Sequence, residues 1–190
     1  MRKPVFITGP EAATMIRDNS TIATIGMTLV SASETILKAI ENSFLETGSP
    51  CGLTLVHSCG QSDQDRGIQH FSHEGMLAGI IGGHWGLQPK MMQLISENKI
   101  FAYNLPQGQF AQLYRSMAGG EPGKITKVGL GTFIDPRMGG GKMNQRTRSM
   151  PDIVDVVTID GKEYMRYKPI PLDYCIIRGT YVDELGNLTT

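Results

Sequence analysis

A chain of 190 residues, 40% of them hydrophobic, can bury one core but is short for two domains. Its 18 basic and 18 acidic residues cancel to a formal net charge of zero without a run of one sign, which removes the basic footprint of a nucleic-acid binder and the attraction to a membrane surface. Met1–Phe6 has no apolar stretch of signal-peptide length and no window reaches a membrane span, so a cytoplasmic protein is expected.

Thr8-Gly9-Pro10-Glu11 sets a hydroxyl three residues ahead of a carboxylate, a capping box that opens a short helix through about Asp18. Thr21–Ile25 is β-branched at four of five positions and reads as a strand ending at Gly26. Ser31-Ala32-Ser33-Glu34 forms a second capping box, behind which Ile36, Leu37, Ile40 and Phe44 line one helical face up to Gly48. The alternation continues with a strand at Leu53–His57, a helix at Ile68–Leu77, a small-residue strand at Gly79–Gly83 and a helix at Pro89–Asn98. Ile100–Leu105 is expected as strand, Phe110–Met117 as helix and Lys124–Leu130 as strand. Such alternation predicts an α/β domain with an open, mainly parallel sheet flanked by helices, whose ligands gather at the carboxyl ends of the strands.

After Pro151 the pattern changes. Ile153–Ile159 and Lys162–Tyr167 flank Asp160-Gly161, a dipeptide favoured in tight type I′ turns, so an antiparallel hairpin is expected over about 151–169. Asp173–Tyr181 returns to strand, Asp183–Asn187 reads as a turn, and a partner strand is expected to begin at Leu188. The glycine-rich stretch Gly139–Arg148 is the candidate mobile loop.

Generic chemical motifs fail on inspection. Gly129-Leu130-Gly131 lacks the third glycine of a dinucleotide fingerprint, where Ile134 stands; Gly139-Gly140-Gly141-Lys142 is followed by Met143 where a phosphate loop needs Ser or Thr. His57, Cys59, His70 and His73 are read as hydrogen-bonded side chains near a cleft, because nothing in the sequence supplies the convergence that a metal site requires. Cys51, Cys59 and Cys175, odd in number and unevenly spaced, are read as free, mostly buried thiols. More informative are the glycines at predicted strand ends: Gly26, Gly60, Gly82-Gly83, Gly108 and Gly129-Leu130-Gly131. Glycine there lets backbone N–H groups approach a ligand closely enough to cradle an oxyanion or a carboxylate.

Three longer runs go beyond pattern. These are Gly82-Gly83-His84-Trp85-Gly86; Glu97-Asn98-Lys99-Ile100 with Ala102–Gly108; and Lys127–Arg137 with Gly140–Asn144 and Arg178-Gly179-Thr180-Tyr181. Together they resemble the family I coenzyme A transferases of the propionate and acetate type, along essentially the whole chain. The resemblance implies a single amino-terminal, α-subunit-like domain over residues 1–190, apparently truncated. It further implies ping-pong transfer of coenzyme A between short-chain carboxylates through a glutamyl thioester, the glutamate lying in a carboxy-terminal domain or β subunit outside this chain.

By the same resemblance Gln107 is the foremost substrate or oxyanion contact, with Gly108 and Gly26 beside it and Gly60, Gly131 and Thr132 as further lining. Coenzyme A enters as a substrate and no permanently bound cofactor is implied; a homo-oligomer is expected. The chain departs from the pattern at Met27, Thr28, Val30 and Ser33, where relatives carry glycine or phenylalanine and then proline. Ser96-Glu97-Asn98 mimics the catalytic glutamate motif, but Glu97 ends an amphipathic helix and is read as a solvated carboxylate. Two other readings are a noncatalytic domain that keeps the coenzyme A or carboxylate cleft, and sugar-phosphate isomerisation on a similar sheet.

Overall fold

The computed structural model describes residues 4–189. Helix α1 (Gly9–Thr14) opens with the predicted capping box: Thr8 Oγ1 accepts from Glu11 N–H and the Glu11 carboxylate accepts from Thr8 N–H at 2.7 Å. It ends four residues before Asp18. Strand β1 (Thr21–Thr24) leads to α2 (Glu34–Thr47), which stops at Gly48 in the left-handed region, φ 79°. There follow β2 (Leu53–His57), a 3-10 helix (Gly67–Phe71), β3 (Leu77–Gly82), α3 (Pro89–Ser96), β4 (Phe101–Asn104) and α4 (Gln107–Ala118). Next come β5 (Lys124–Thr126), α5 (Gln145–Arg148), the hairpin β6 (Val154–Ile159) and β7 (Lys162–Tyr167), β8 (Tyr174–Ile176), and the antiparallel pair β9 (Tyr181–Val182) and β10 (Leu188–Thr189).

The main sheet has the order β4-β3-β2-β1-β8 with every pair parallel. Alternate residues of each strand enter two cores. Ile22, Leu55 and Ile80 pack with Leu37 and Ile40 of α2 and with Met91 and Leu94 of α3; Ala23, Val56 and Ile81 pack with Phe110 and Leu113 of α4 and with Val154, Met165 and Tyr167 of a second, antiparallel sheet. Because β2, β3 and β4 run outward from β1 on one side and β8 returns on the other, the order reverses between β1 and β8. Open α/β sheets form ligand crevices at such a point, beyond the carboxyl ends of the strands.

Four expectations are corrected. Ser31–Glu34 forms no capping box: Ser31 is left-handed at φ 62°, Ser33 takes the cap position without a side-chain bond, and Glu34 turns to Gly67 N–H and His70 instead. Ile68–Leu77 is not one helix, since the 3-10 turn ends at Phe71 and Leu77 already belongs to β3. Lys124–Leu130 contributes only three strand residues, and these pair antiparallel with β7 in the second sheet, so Gly129-Leu130-Gly131 does not end a parallel strand. Gly139–Arg148 is pinned: Gly141 O accepts from Asn104 N–H, Met143 N–H donates to Ala102 O, and Asn144 Nδ2 donates to Ile95 O and Ile100 O. The Asp160-Gly161 hairpin forms as expected, both residues having positive φ, 49° and 71°.

Candidate functional site

Sheet order brings four of the glycine-bearing strand ends side by side. After β1, Gly26 has φ 142°, and a Cβ there would lie 2.9 Å from Val30 O, so the turn from Gly26 to Val30 closes only around glycine. The next turn residue, Thr28, donates its N–H to Gly60 O beyond β2 at 2.7 Å. Gly83, beyond β3, is packed so that an added Cβ would collide with Ser58 O and stand 3.3 Å from Gln107 Cα. Asn104 Nδ2 donates to both Gly82 O and Gly83 O at 3.2 Å, tying the ends of β3 and β4. Gly26, Gly60, Gly83 and Gln107 therefore stand in one row along the carboxyl edge of the sheet.

Gln107 is exposed and is the first residue of α4, and Gly108, also exposed, follows it in the first turn. The cap residue, Pro106, has no side chain able to accept from that turn. The N–H groups there, with the positive end of the helix dipole, complement a carboxylate, and the Gln107 carboxamide adds a donor without adding charge. Gly131 and Thr132 do not join the row. Gly131 N–H donates to Asp135 Oδ2 and Thr132 Oγ1 donates to Gly129 O inside their own loop, which is tied to the end of β4 through Phe133 O, Gly141 and Asn104 N–H and by the packing of Ile134 with Leu105.

His57 is buried beside the row, and a second polar cluster joins α2 to the 3-10 turn; the sequence did not disclose either as such. His57 Nδ1–H donates to Cys59 O at 2.7 Å while its Nε2 accepts from Trp85 Nε1–H at 3.2 Å, which selects one neutral tautomer; burial is the main cause pulling its pKa down to about 4. Glu41, facing in from α2, accepts from His70 Nδ1, His73 Nε2 and Lys38 Nζ, each at 2.7 Å. Burial pushes its carboxyl up, but the hydrogen bonds from Lys38 and His73 and the neighbouring His70 outweigh it and hold it at about 2. His70 Nε2 reaches Glu34 Oε1 at 2.8 Å, so one ring faces two carboxylates. Since Glu34 Oε2 also accepts from Gly67 N–H, this cluster ties the start of α2 to the loop after β2.

These bonds give His57, His70 and His73 structural partners. Among the described residues no group of three or more His, Cys, Asp or Glu side chains is placed to hold a metal ion. The cysteines are unpaired, but Cys175 is exposed on β8, and Cys51 and Cys59 are only partly covered, so "mostly buried" is corrected. Glu97 is exposed at the end of α3, where its carboxylate accepts from Gln93 Nε2. No helix among the described residues is long and apolar enough to cross a membrane.

A cavity of about 470 Å³ lies at the switch point, between the start of α2 (Ala32–Ile36) and Ile177, Arg178 and Gly179 after β8. It does not include Gln107. The Gly26–Ser33 turn joins the two, since Gly26 belongs to the row and Ser33 lines the crevice.

Residues 9–190 match the family model described as Coenzyme A transferase. The caffeate CoA-transferase of Acetobacterium woodii is 42% identical over 185 residues, 97% of this chain and 35% of that protein. The alpha subunit of an acetate CoA-transferase from Escherichia coli K12 is 26% identical over 98% of this chain and 75% of that subunit. A crystal structure of the acyl-CoA transferase YdiF from Escherichia coli O157:H7, a thioester complex with CoA, superposes with TM-score 0.85 and 36% identity over 94% of this chain and 36% of that one. The chain thus spans about a third of the length of the caffeate and YdiF enzymes.

Proposed function

The chain belongs to the coenzyme A transferase family, and on that premise we propose that it forms the amino-terminal, α-subunit-like part of an acyl-CoA:carboxylate CoA-transferase acting on short-chain acids. The observation that carries this reading is the row of strand ends closed by Gln107 at the start of α4, which offers a carboxamide and free backbone donors where a carboxylate or thioester oxygen would sit.

The reaction begins when a glutamate carboxylate outside this chain attacks the acyl thioester carbonyl. Coenzyme A leaves as thiolate and an acyl-glutamyl anhydride remains. The thiolate then attacks the glutamyl carbonyl, releases the first acid and leaves a glutamyl thioester, which the acceptor acid opens by the reverse sequence. Both tetrahedral stages place negative charge on an oxygen, and in this reading Gln107 together with the Gly108 N–H receives it. Gly26 and Gly60 set the backbone against the acyl group. The partner that supplies the glutamate is a carboxy-terminal domain or β subunit, the assembly is a homo-oligomer of such units, and coenzyme A is a substrate.

Transfer from propionyl-CoA to labelled acetate is the test. The complete assembly should exchange and this chain alone should not. Borohydride reduction after acyl-CoA addition, followed by peptide mass spectrometry, should mark a glutamate outside residues 1–190. Modification of Glu97 or any other glutamate of this chain would overturn the mechanism.

A further inference from the structure

His84, the residue after Gly83, holds a place that neither composition nor the capping and strand signals singled out. A Cβ built on Gly60 would lie 2.6 Å from His84 Nδ1, and one built on Gly86 would lie 3.1 Å from Nε2 and 3.2 Å from Cε1. The imidazole therefore lies in a slot that exists because both neighbours are glycine. Its position is held from below as well. Trp85, the next residue, is anchored by its indole bond to His57 and packs in the core at 5% exposure, while Gly83 packs closely against the Ser58 and Gln107 backbones. Yet His84 itself is exposed. A rigid backbone on both sides thus presents one exposed ring in the middle of the row, between the Gly26–Gly60 contact and Gln107.

We propose that His84 is a substrate-contacting residue that sets acid preference: its ring N–H donates to the acid's carboxylate opposite the Gln107 carboxamide, and its edge limits the acyl chain. The proposal rests on the transferase reading above. A neutral amide and an imidazole on opposite sides suit a small monocarboxylate, whose two oxygens take one donor each. Beneath the ring, His57 is kept neutral by burial and adds no charge to the site. Glu34, Glu41, Lys38, His70 and His73 are engaged with one another, and Arg178 lines the crevice after β8.

The test uses the complete assembly and has two readouts. In the exchange assay, His84→Asn should raise KM for the acceptor acid about tenfold or more, the loss expected when a bond to a charged group is removed, and should change the ratio between acetate and longer acids. KM for the acyl-CoA donor should move less. Gly86→Ala, whose methyl would crowd Nε2, should give a smaller shift of the same kind and add little to His84→Asn, since both act through one ring. Independently of turnover, titration with propionate should shift the His84 ring resonances in an NMR spectrum, assigned by their loss in His84→Asn. If wild type exchanges and His84→Asn keeps the acid KM and preference, the proposal fails. Wild type without exchange overturns the transferase reading alone, and the propionate titration then decides: shifted His84 signals support the contact, unshifted ones refute it.

Discussion

Replacing Glu41 by Gln should cost the fold about 3 kcal/mol at neutral pH. The carboxyl falls from its ordinary 4.5 to about 2 in the folded chain, and at about 1.4 kcal/mol per pH unit that depression corresponds to about 3 kcal/mol of stability. The Glu41 side chain is 11% exposed, which limits solvent screening, but Lys38, the foremost cause of the lowering, is 53% exposed, so about 3 kcal/mol is the upper end of the effect. The amide keeps the volume of the carboxylate but presents an NH₂ group to a ring that also donates, so either His70 or His73 loses its acceptor. A depressed carboxyl stabilises fully above its unfolded value and loses that contribution as pH falls through the folded one. Urea unfolding of wild type and Glu41→Gln should therefore differ by about 3 kcal/mol at pH 7, with the gap narrowing below about pH 4.5 and closing near pH 2. A gap under about 0.5 kcal/mol at pH 7, or one that stays constant down to pH 2, would refute the assignment of Glu41 as the acceptor of this cluster.

Gln107→Ala in the complete assembly should lower turnover on the order of a hundredfold and leave the melting temperature nearly unchanged, because the side chain is exposed; activity lost only in proportion to folded protein would make it a scaffold residue. Glu97→Gln should leave turnover at the wild-type level, as expected of an exposed helix-end carboxylate, and a large loss in the exchange assay would contradict that. Thr147→Val should destabilise by about 1–3 kcal/mol in urea titration, because buried Thr147 Oγ1 accepts from Ala102 N–H at 2.7 Å and valine leaves that N–H unpaired, while Asn144 Oδ1 keeps only the bond from the backbone N–H of residue 147.

How much was legible from residues alone follows the range of each interaction. The Thr8–Glu11 box, the Gly48 stop, the Asp160-Gly161 turn and the alternation that predicts a parallel α/β sheet all formed, because each depends on residues a few positions apart. Ser31–Glu34 carried the same local signal as Thr8–Glu11 and failed, because Glu34 found Gly67 N–H and His70, 33 and 36 residues away, instead of its own helix start. Lys124–Leu130 had strand composition, but its partner was β7 and its direction antiparallel, which propensity does not encode.

For the candidate site, the sequence by itself determined the pieces: glycines at strand ends, Gln107 before a helix, and the runs that resemble coenzyme A transferases. Only the tertiary structure decided which pieces meet. Sheet order puts Gly26, Gly60, Gly83 and Gln107 in one row and leaves Gly131 and Thr132 in a separate loop. The slot around His84 and the charge cluster on Glu41 depend on contacts between the ends of different strands and helices. The physical reason is that a glycine or a carboxylate states locally what it permits, a close approach or an accepted proton, whereas the group that takes up the offer is chosen by the packing of segments distant in the chain.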